Sequence, residues 1–456
     1  MMSFKKTWVT VAIFCLLALG AWLRVSLYGD LNLSIGNPDT RSYVEASSAP
    51  AFSMEAFTGR RLFTTNILYK LANDSQTCPL LAVSTPAEGS EGYRAIQPCF
   101  NNIVLLQNWI SILGWCFLAW TTARWITTPL YKILMVILVL AFGFTPQIAE
   151  WDSVLSPESL SLSLFAILLA LLQEIIFFAT SEDQKAPFLK NGFLVPFWLV
   201  ILILWAFIRD VHVYALLVTA ALTLPLLFLP RFRKSIYVLA VLIFSGVLFA
   251  FGTVTSHNST RWQPSIRHAF TDYIEPFPAR VEFFQKLGMP KDRSSQEYEA
   301  WFKEKALSSY GKFLILHPGF LVSTIFQASF FEADFVQPYF KAPEVKAREA
   351  LLIIGRFLHP ESYAVYVIDF LLLISVCYTA LKSHEQRMYG LAWLAIWTFL
   401  YLAISLLLSY FGDTSGTRRH IFPSVEGFRL FGWIYLVINI DLAGTRALSQ
   451  QNLQSS

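Results

Sequence analysis

Long apolar runs separated by short charged connections dominate the chain. Seven windows of 17 to 29 residues contain no Asp, Glu, Lys or Arg, and three weaker ones are interrupted or bounded by a single acid. A helix needs about 20 apolar residues to cross a hydrocarbon core of about 30 Å. The pattern therefore predicts about ten transmembrane helices, near residues 8–26, 102–121, 132–147, 158–179, 193–208, 212–229, 236–254, 363–381, 389–410 and 424–442.

The composition excludes most other classes of protein. The chain has 456 residues, of which 55% are hydrophobic and 14% are charged, whereas a soluble globular chain carries roughly 25% charged residues. So few charges cannot cover so much apolar surface in water, which excludes a soluble enzyme, a disordered linker, a collagen-like chain and a disulfide framework. We predict an all-α polytopic membrane protein with a single domain over 1–456 and long loops near 27–101 and 255–362.

Lysine and arginine in the short connections predict the orientation in the membrane. If Lys5 and Lys6 are cytoplasmic, every short basic connection falls on the same side, near 124–132, 185–190, 231–234, 382–387 and at 446. Both termini are then cytoplasmic, and the long loops face the exterior. The net charge is only +4 and no basic run stands out, so we expect the lipid bilayer, and not nucleic acid, as a partner.

Acidic residues recur where the predicted helices meet water on the exterior face. Asp39, after Pro38, can cap the helix that starts at Thr40, or it can serve as a general base. Asp152 and Glu158 flank a good helix start at Ser156-Pro157. Glu158 there is either a first-turn acid favoured by the helix dipole or, with Asp152, a catalytic acid or base, an acceptor ligand or a metal ligand.

Basic residues accompany these acids on the same predicted face. Arg60 and Arg61 precede a stretch with apolar residues at helical spacing, which predicts an amphipathic interfacial helix near lipid phosphates or a solvated cap over the bundle. Arg209 is either half of an ion pair that caps a hairpin or a substrate ligand. The segment before the last helix offers charged donors suited to a phosphate, namely Arg418, Arg419 and His420.

Two cysteines lie in the first long loop, separated by 20 residues. Cys78 and Cys99 fall on the predicted exterior face, where an oxidising compartment favours a disulfide between them; the alternative is two free thiols. Nucleotide-binding, zinc-protease and serine-hydrolase motifs do not occur in the sequence. An exterior enzyme also lacks access to cytosolic nucleotide sugars, so its donor must cross the membrane already activated.

These features together resemble the GT-C superfamily of integral-membrane glycosyltransferases, such as protein O-mannosyltransferases and lipid A aminoarabinose transferases. The similar segments contain Asp39 soon after the first helix, the Arg60–Tyr69 stretch, Glu158 in Ser-Pro-Glu-Ser-Leu, and Arg418-Arg419-His420 before Ile-Phe-Pro. The sequence departs from some members in having a single acid at Asp39 and no large C-terminal soluble domain.

The resemblance implies a specific reaction. A sugar would move with inversion from a polyprenyl-phosphate-linked donor to a lipid, glycan or protein acceptor, with Asp39 as general base and Arg418 or Arg419 at the donor phosphate. The resemblance names no obligatory cofactor and is compatible with a divalent cation. The expected location is a bacterial plasma (inner) membrane, with the active site on the extracytoplasmic side.

Two other functions compete with this prediction. A flippase or transporter of lipid-linked saccharides would place ionisable residues near the bilayer midplane, whereas the charges here gather at helix ends. An exterior oligosaccharide polymerase or ligase would use arginine and histidine in a large exterior loop, for which the sequence offers Arg261, Arg267, His268 and His317.

Overall fold

The computed structural model describes residues 2–72, 80, 95–180, 187–327, 345–383, 385–415 and 417–454. Almost all regular structure in these residues is helical, which confirms the predicted all-α polytopic membrane fold. The exception is a two-residue antiparallel ladder between β1 (Ile35–Gly36) and β2 (Ala95–Ile96).

The long apolar helices form the bundle. They are α1 (Met2–Leu27), α5 (Asn101–Ala123), α6 (Pro129–Phe144), α8 (Pro157–Ala179), α9 (Pro187–Ala206), α10 (Tyr214–Thr223), α11 (Ile236–His257), α18 (Ala364–Ser383), α19 (Gln386–Gly412) and α20 (Thr417–Gln454). Within the described residues, eight helical segments are long and apolar enough to cross a membrane. A ninth follows if α6 is joined across a 47° bend to the short helix α7 (Pro146–Ala149) and the turn after it, and the apolar part of α9 is shorter.

Short helices fill the two long loops. The first loop holds α2 (Thr40–Ala46), α3 (Met54–Thr58) and α4 (Phe63–Ala72); the second holds α12 (Trp262–Ala269), α13 (Pro278–Lys286), α14 (Gln296–Trp301), α15 (Leu307–Leu316), α16 (Pro318–Gln327) and α17 (Arg348–Leu358). Aromatic side chains such as Phe270, Phe284, Phe302 and Phe313 give the second loop a small core of its own. We call the end of the bundle that carries both loops the loop face.

The amphipathic helix predicted after Arg61 is present as α4. It packs against the end of α9, because the Thr64 amide donates to the Phe207 carbonyl over 3.2 Å. Phe63 and Tyr69 are buried, whereas Leu71 is exposed. The helix therefore covers the bundle at the loop face.

A second set of polar contacts ties helix ends together away from the loop face. Arg124 after α5 pairs with Glu174 near the end of α8, and Arg387 donates to the Arg124 carbonyl over 2.8 Å. Asp441 of α20 accepts from the amide of Thr127 over 2.7 Å. The connections that carry Arg124 and Arg387 thus lie together, and the segment after Arg124 contacts Asp441 of α20.

Candidate active site

The backbone around Asp39 is fixed by neighbours distant in sequence. Ile35 of β1 forms a parallel bridge with Val154, and the Leu155 amide donates to the Ile35 carbonyl over 2.9 Å. The Thr40 hydroxyl adds a 3.1 Å bond to the Leu155 carbonyl. These contacts hold the first loop beside the start of α8.

Asp39 occupies the N-cap position of α2, but its side chain makes no capping hydrogen bond. The carboxylate binds arginines instead. Oδ1 accepts from Arg61 Nη2 over 3.0 Å, and Oδ2 accepts from Arg419 Nη1 over 2.6 Å. Partial burial would raise the pKa of Asp39, but the Arg419 and Arg61 guanidinium groups outweigh it and hold the pKa below its usual value.

Arg419 joins the two acids from the first turn of α20. Besides Asp39, it donates from Nε to Glu158 Oε1 over 2.7 Å and from Nη2 to the Tyr43 hydroxyl over 3.3 Å. A guanidinium can serve several acceptors at once because its donors lie in a fixed planar fork. The contacts bring together residues 380 positions apart in the chain.

Glu158 lies at the first turn of α8, directly after Pro157, as the sequence predicted for a helix start. Its side chain is fully buried, and Oε1 is shared between Arg419 and Arg209. Arg209 also donates to the His420 carbonyl over 3.2 Å. A buried carboxylate is tolerated when it is paired in this way.

We call this group the Asp39 cluster, comprising Asp39, Arg61, Glu158, Arg209 and Arg419. Three guanidinium groups face two carboxylates, so the formal charge is 3 − 2 = +1. Access differs between the two acids, since the Asp39 side chain is 39% exposed while that of Glu158 is 0% exposed. The arrangement combines a partly exposed carboxylate with three arginines, at a formal charge of +1 for the five residues.

Asp152 is placed in a different network. Its Oδ2 accepts from Arg24 Nη2 over 3.1 Å and its Oδ1 from the Ser159 hydroxyl over 2.5 Å, with both charged side chains 1% exposed. No contact joins it to Asp39 among the described residues. Its position is that of a buried ion pair between α1 and the start of α8.

The remaining predicted ligands flank cluster residues in the chain, Arg60 before Arg61 and Arg418 and His420 on either side of Arg419. We call these three residues the rim of the cluster. Arg60 and Arg418 are exposed. His420 is half-buried, and its Nε2 lies 3.5 Å from Asp413 Oδ2. The Cys78–Cys99 disulfide stays a prediction, because Cys78 lies outside the described residues.

Residues considered for a polymerase or ligase are dispersed among other contacts. Arg261 forms a bidentate salt bridge with Asp210, with N–O distances of 2.8 and 2.9 Å. Arg267 pairs with Glu299, and His317 packs against Phe313. Of these four residues, His268 is the one that shares a partner with a rim residue. Its Nδ1 lies 3.2 Å from Asp413 Oδ1, and Asp413 Oδ2 lies 3.5 Å from His420 Nε2.

A divalent cation does not fit between the two acids of the cluster. The Arg419 guanidinium already bridges Asp39 and Glu158, in the place where such a cation would have to bind. Across the described ranges, His, Cys, Asp and Glu side chains nowhere form a group of three that could hold a metal ion.

Some polar partners were missed from the sequence. Tyr43 ends the segment that carries Asp39, and its ring also lies 4.1 Å beneath the Arg61 guanidinium. Spacing gives no signal of this contact, because Arg61 and Arg419 are distant from Tyr43 in the sequence. A second charged group, the Glu426 cluster, consists of Glu426, His359 and Arg429. Glu426 contacts His359 Nδ1 over 2.5 Å and pairs with Arg429, all three being buried. The sequence did not indicate this cluster, because Glu426 lies within the apolar run that predicts the last membrane helix.

Comparisons with known proteins give a distant structural likeness. No protein-family model matches the chain, and no curated protein does so either. Among solved structures, the chain is similar to the oligosaccharyltransferase AglB of Archaeoglobus fulgidus in complex with an inhibitory peptide and a dolichol-phosphate. The identity is 12% and the TM-score 0.44, over 99% of this chain and 52% of that one.

The same oligosaccharyltransferase tethered to an acceptor peptide matches at 12% identity and a TM-score of 0.39, over 94% of this chain and 50% of that one. The chain spans about half the length of these proteins.

Proposed function

We propose that the chain is a membrane glycosyltransferase that moves a sugar from a polyprenyl-phosphate-linked donor to a lipid, glycan or protein acceptor. The observation that carries the proposal is the Asp39 cluster, in which an accessible carboxylate shares Arg419 with a buried acid. The substrate class and the roles below are inferred from this chemistry together with the sequence resemblance.

The charge of the cluster suits a lipid-linked sugar phosphate. A phosphodiester carries one negative charge, which balances the formal +1 of the cluster. Arginine is well suited to phosphate oxygens because it donates two parallel hydrogen bonds. Arg61 and Arg419, both partly exposed, would bind the donor phosphate.

Donor binding would also activate the base. In the unliganded chain the two arginines lower the pKa of Asp39 and so weaken it as a base. A phosphate that takes hydrogen bonds from Arg61 and Arg419 removes part of this attraction, so the pKa of Asp39 rises in the complex. The acid limb of kcat against pH should therefore lie at higher pH than that of kcat/KM.

The reaction then needs only groups in the cluster. Asp39 takes the proton of an acceptor hydroxyl while the hydroxyl oxygen forms a bond to the anomeric carbon. The bond from that carbon to the phosphate oxygen breaks with inversion, and its electron pair leaves on polyprenyl phosphate. Arginine stabilises the charge that grows on the phosphate, and Glu158 holds Arg419 and Arg209 in position.

Reconstituted protein provides the direct test. Full-length chain in liposomes would receive a radiolabelled polyprenyl-phosphate sugar and a membrane extract as acceptor source. We expect Asp39→Asn to lower sugar transfer by at least about 100-fold, in the range for loss of a general base. Glu45→Gln is the matched control, because Glu45 is an exposed acid on α2 that pairs only with Arg41 in the described contacts.

The result has two informative failures. Transfer by Asp39→Asn at the wild-type rate would contradict the role of Asp39. Movement of the labelled donor between leaflets without any transfer would favour a flippase, the second candidate. That candidate has its own support, because Asp369 lies buried within α18 and its oxygens accept no hydrogen bond from the described residues.

We also propose that the loop face is extracytoplasmic in a bacterial plasma membrane and that both termini are cytoplasmic. The basic residues in the short connections support this orientation, as does the need for a donor activated before it reaches the site. Labelling of single cysteines with an impermeant reagent in intact cells should modify a cysteine at Arg60 and spare one at Arg233. The opposite pattern would reverse the orientation.

A further inference from the structure

A groove opens on the side of the bundle between α1, α6 and α17, and it belongs to neither charged cluster. It has a volume of about 290 Å³ and is walled by apolar side chains, among them Leu19, Leu23, Ile137, Leu140, Leu351 and Ile354. Several of these, including Leu19, Ile137 and Ile354, are exposed along its open side. The groove therefore faces the region where lipid chains lie.

An incompletely bonded arginine lines the groove near the loop face. Arg24 is 2% exposed, and its Nη2 donates to Asn108 over 2.8 Å and to Asp152 over 3.1 Å. Its Nε and Nη1 are buried and find no acceptor within the described part of the chain. Buried donors without an acceptor are costly, so a ligand oxygen at this end of the groove would be stabilised.

The groove has the depth of one leaflet. Its α1 wall runs from Leu16 to Tyr28, which at 1.5 Å per residue is about 18 Å. Half of a hydrocarbon core is about 15 Å. An acyl chain of a phospholipid in the leaflet at the loop face matches this depth, whereas a long polyprenyl chain would extend beyond it.

Positive charge lies at the end of the groove where phosphates are expected. The Lys346 amide donates to the carbonyl of Leu27, a groove residue, over 2.8 Å, and the Lys346 side chain is exposed. Arg24 is paired with Asp152, and Arg348 with Glu150, so Lys346 supplies a charge that these pairs do not. This complements an anionic headgroup.

We infer that this groove binds a phospholipid of the leaflet at the loop face, with one acyl chain along α1 and α6 and an ester or phosphate oxygen bound to Arg24. The site is separate from the proposed transfer reaction, and binding alone tests it. The bound lipid would fill the space between α1 and α17 and satisfy the buried guanidinium.

Photolabelling of the unmodified protein tests the site without any risk of misfolding. Full-length chain would be placed in phosphatidylethanolamine vesicles containing a phosphatidylglycerol with a diazirine on its acyl chain, then irradiated and mapped by mass spectrometry. We expect at least about tenfold more label on Leu19, Leu23 and Ile137 than on Ile243 and Leu371, which are exposed apolar residues of α11 and α18. Equal labelling at all five would overturn the inference.

A substitution that fills the groove gives the matched comparison. Ala141 lines the groove, so Ala141→Phe should lower the amount of co-purified phospholipid at least fivefold. Ala18→Phe makes the same change on an exposed position of α1 outside the lining and should leave it unchanged. Equal retention in both variants would contradict the site, and retention of polyprenyl phosphate in place of phospholipid would show that the assigned ligand is wrong.

Discussion

Two acid–arginine clusters lie on the same helix, α20, and differ chiefly in access. Arg419 ties Asp39 to Glu158 at the start of the helix, and Glu426 binds His359 and Arg429 seven residues later. The Asp39 side chain is 39% exposed, whereas that of Glu426 is 1% exposed. The two clusters share their chemistry, so access for a substrate is what separates a candidate site from a packing element.

The Glu426 cluster should determine stability. Glu426→Gln removes the negative charge that compensates Arg429, and loss of one partner of a buried pair typically costs about 3–5 kcal/mol. We expect a clear fall in the midpoint of thermal unfolding in detergent, followed by tryptophan fluorescence. Transfer per folded molecule should stay near wild type, and a selective loss of transfer with unchanged unfolding would place Glu426 in the reaction.

The Asp39 cluster should determine turnover. Arg419→Lys keeps one positive charge but cannot reach Asp39, Glu158 and Tyr43 together, so we expect kcat/KM to fall by about 10²–10³-fold, as for the loss of one oriented donor. Steady-state kinetics with varied lipid-linked donor measures this.

Arg418→Lys is the control for that substitution, because Arg418 is the exposed neighbour of Arg419. We expect less than about a threefold change. A larger effect at Arg418 than at Arg419 would move the donor phosphate from the interior of the cluster to its rim.

The smallest effect should be a shift in pH dependence. Asp39 has a lowered pKa because of Arg419 and Arg61, which overcome the opposing effect of burial. Arg61→Gln removes one positive neighbour, so the pKa of Asp39 rises and the acid limb of kcat/KM moves to higher pH. Arg41→Gln, on the exposed side of α2, should leave the profile in place, and an unmoved limb in both variants would exclude Asp39 as the titrating group.

Much of the architecture could be predicted because it depends on local sequence. Long apolar runs predicted the membrane helices, and Ser156-Pro157 predicted the start of α8. The described residues contain eight helices long enough to cross a membrane, or nine with the bent α6–α7 pair, against the predicted ten. The difference arises because α6 bends into α7 and the apolar part of α9 is short. Such bends depend on packing, which no single window of sequence records.

The site could be predicted only in part. The sequence indicates each residue of the Asp39 cluster separately, because each is charged where a predicted helix meets water. Arg419 meets Asp39 across 380 positions, and Arg24 meets Asp152 across 128 positions. Neither contact can be inferred from local spacing. In the sequence, Arg24 ends the first charge-free window. Its buried ion pair with Asp152 cannot be inferred from that position.

The bond between Arg419 and Asp39 also constrains when the Asp39 cluster can assemble during synthesis. Asp39 follows the first membrane helix and Arg419 begins the last one described, so nearly the whole chain must be synthesised and inserted before the two can meet. A nascent chain halted on the ribosome, or a product truncated before α20, would expose Asp39 and Glu158 without their shared cation. The Asp39 cluster would then assemble only after α20 has been inserted.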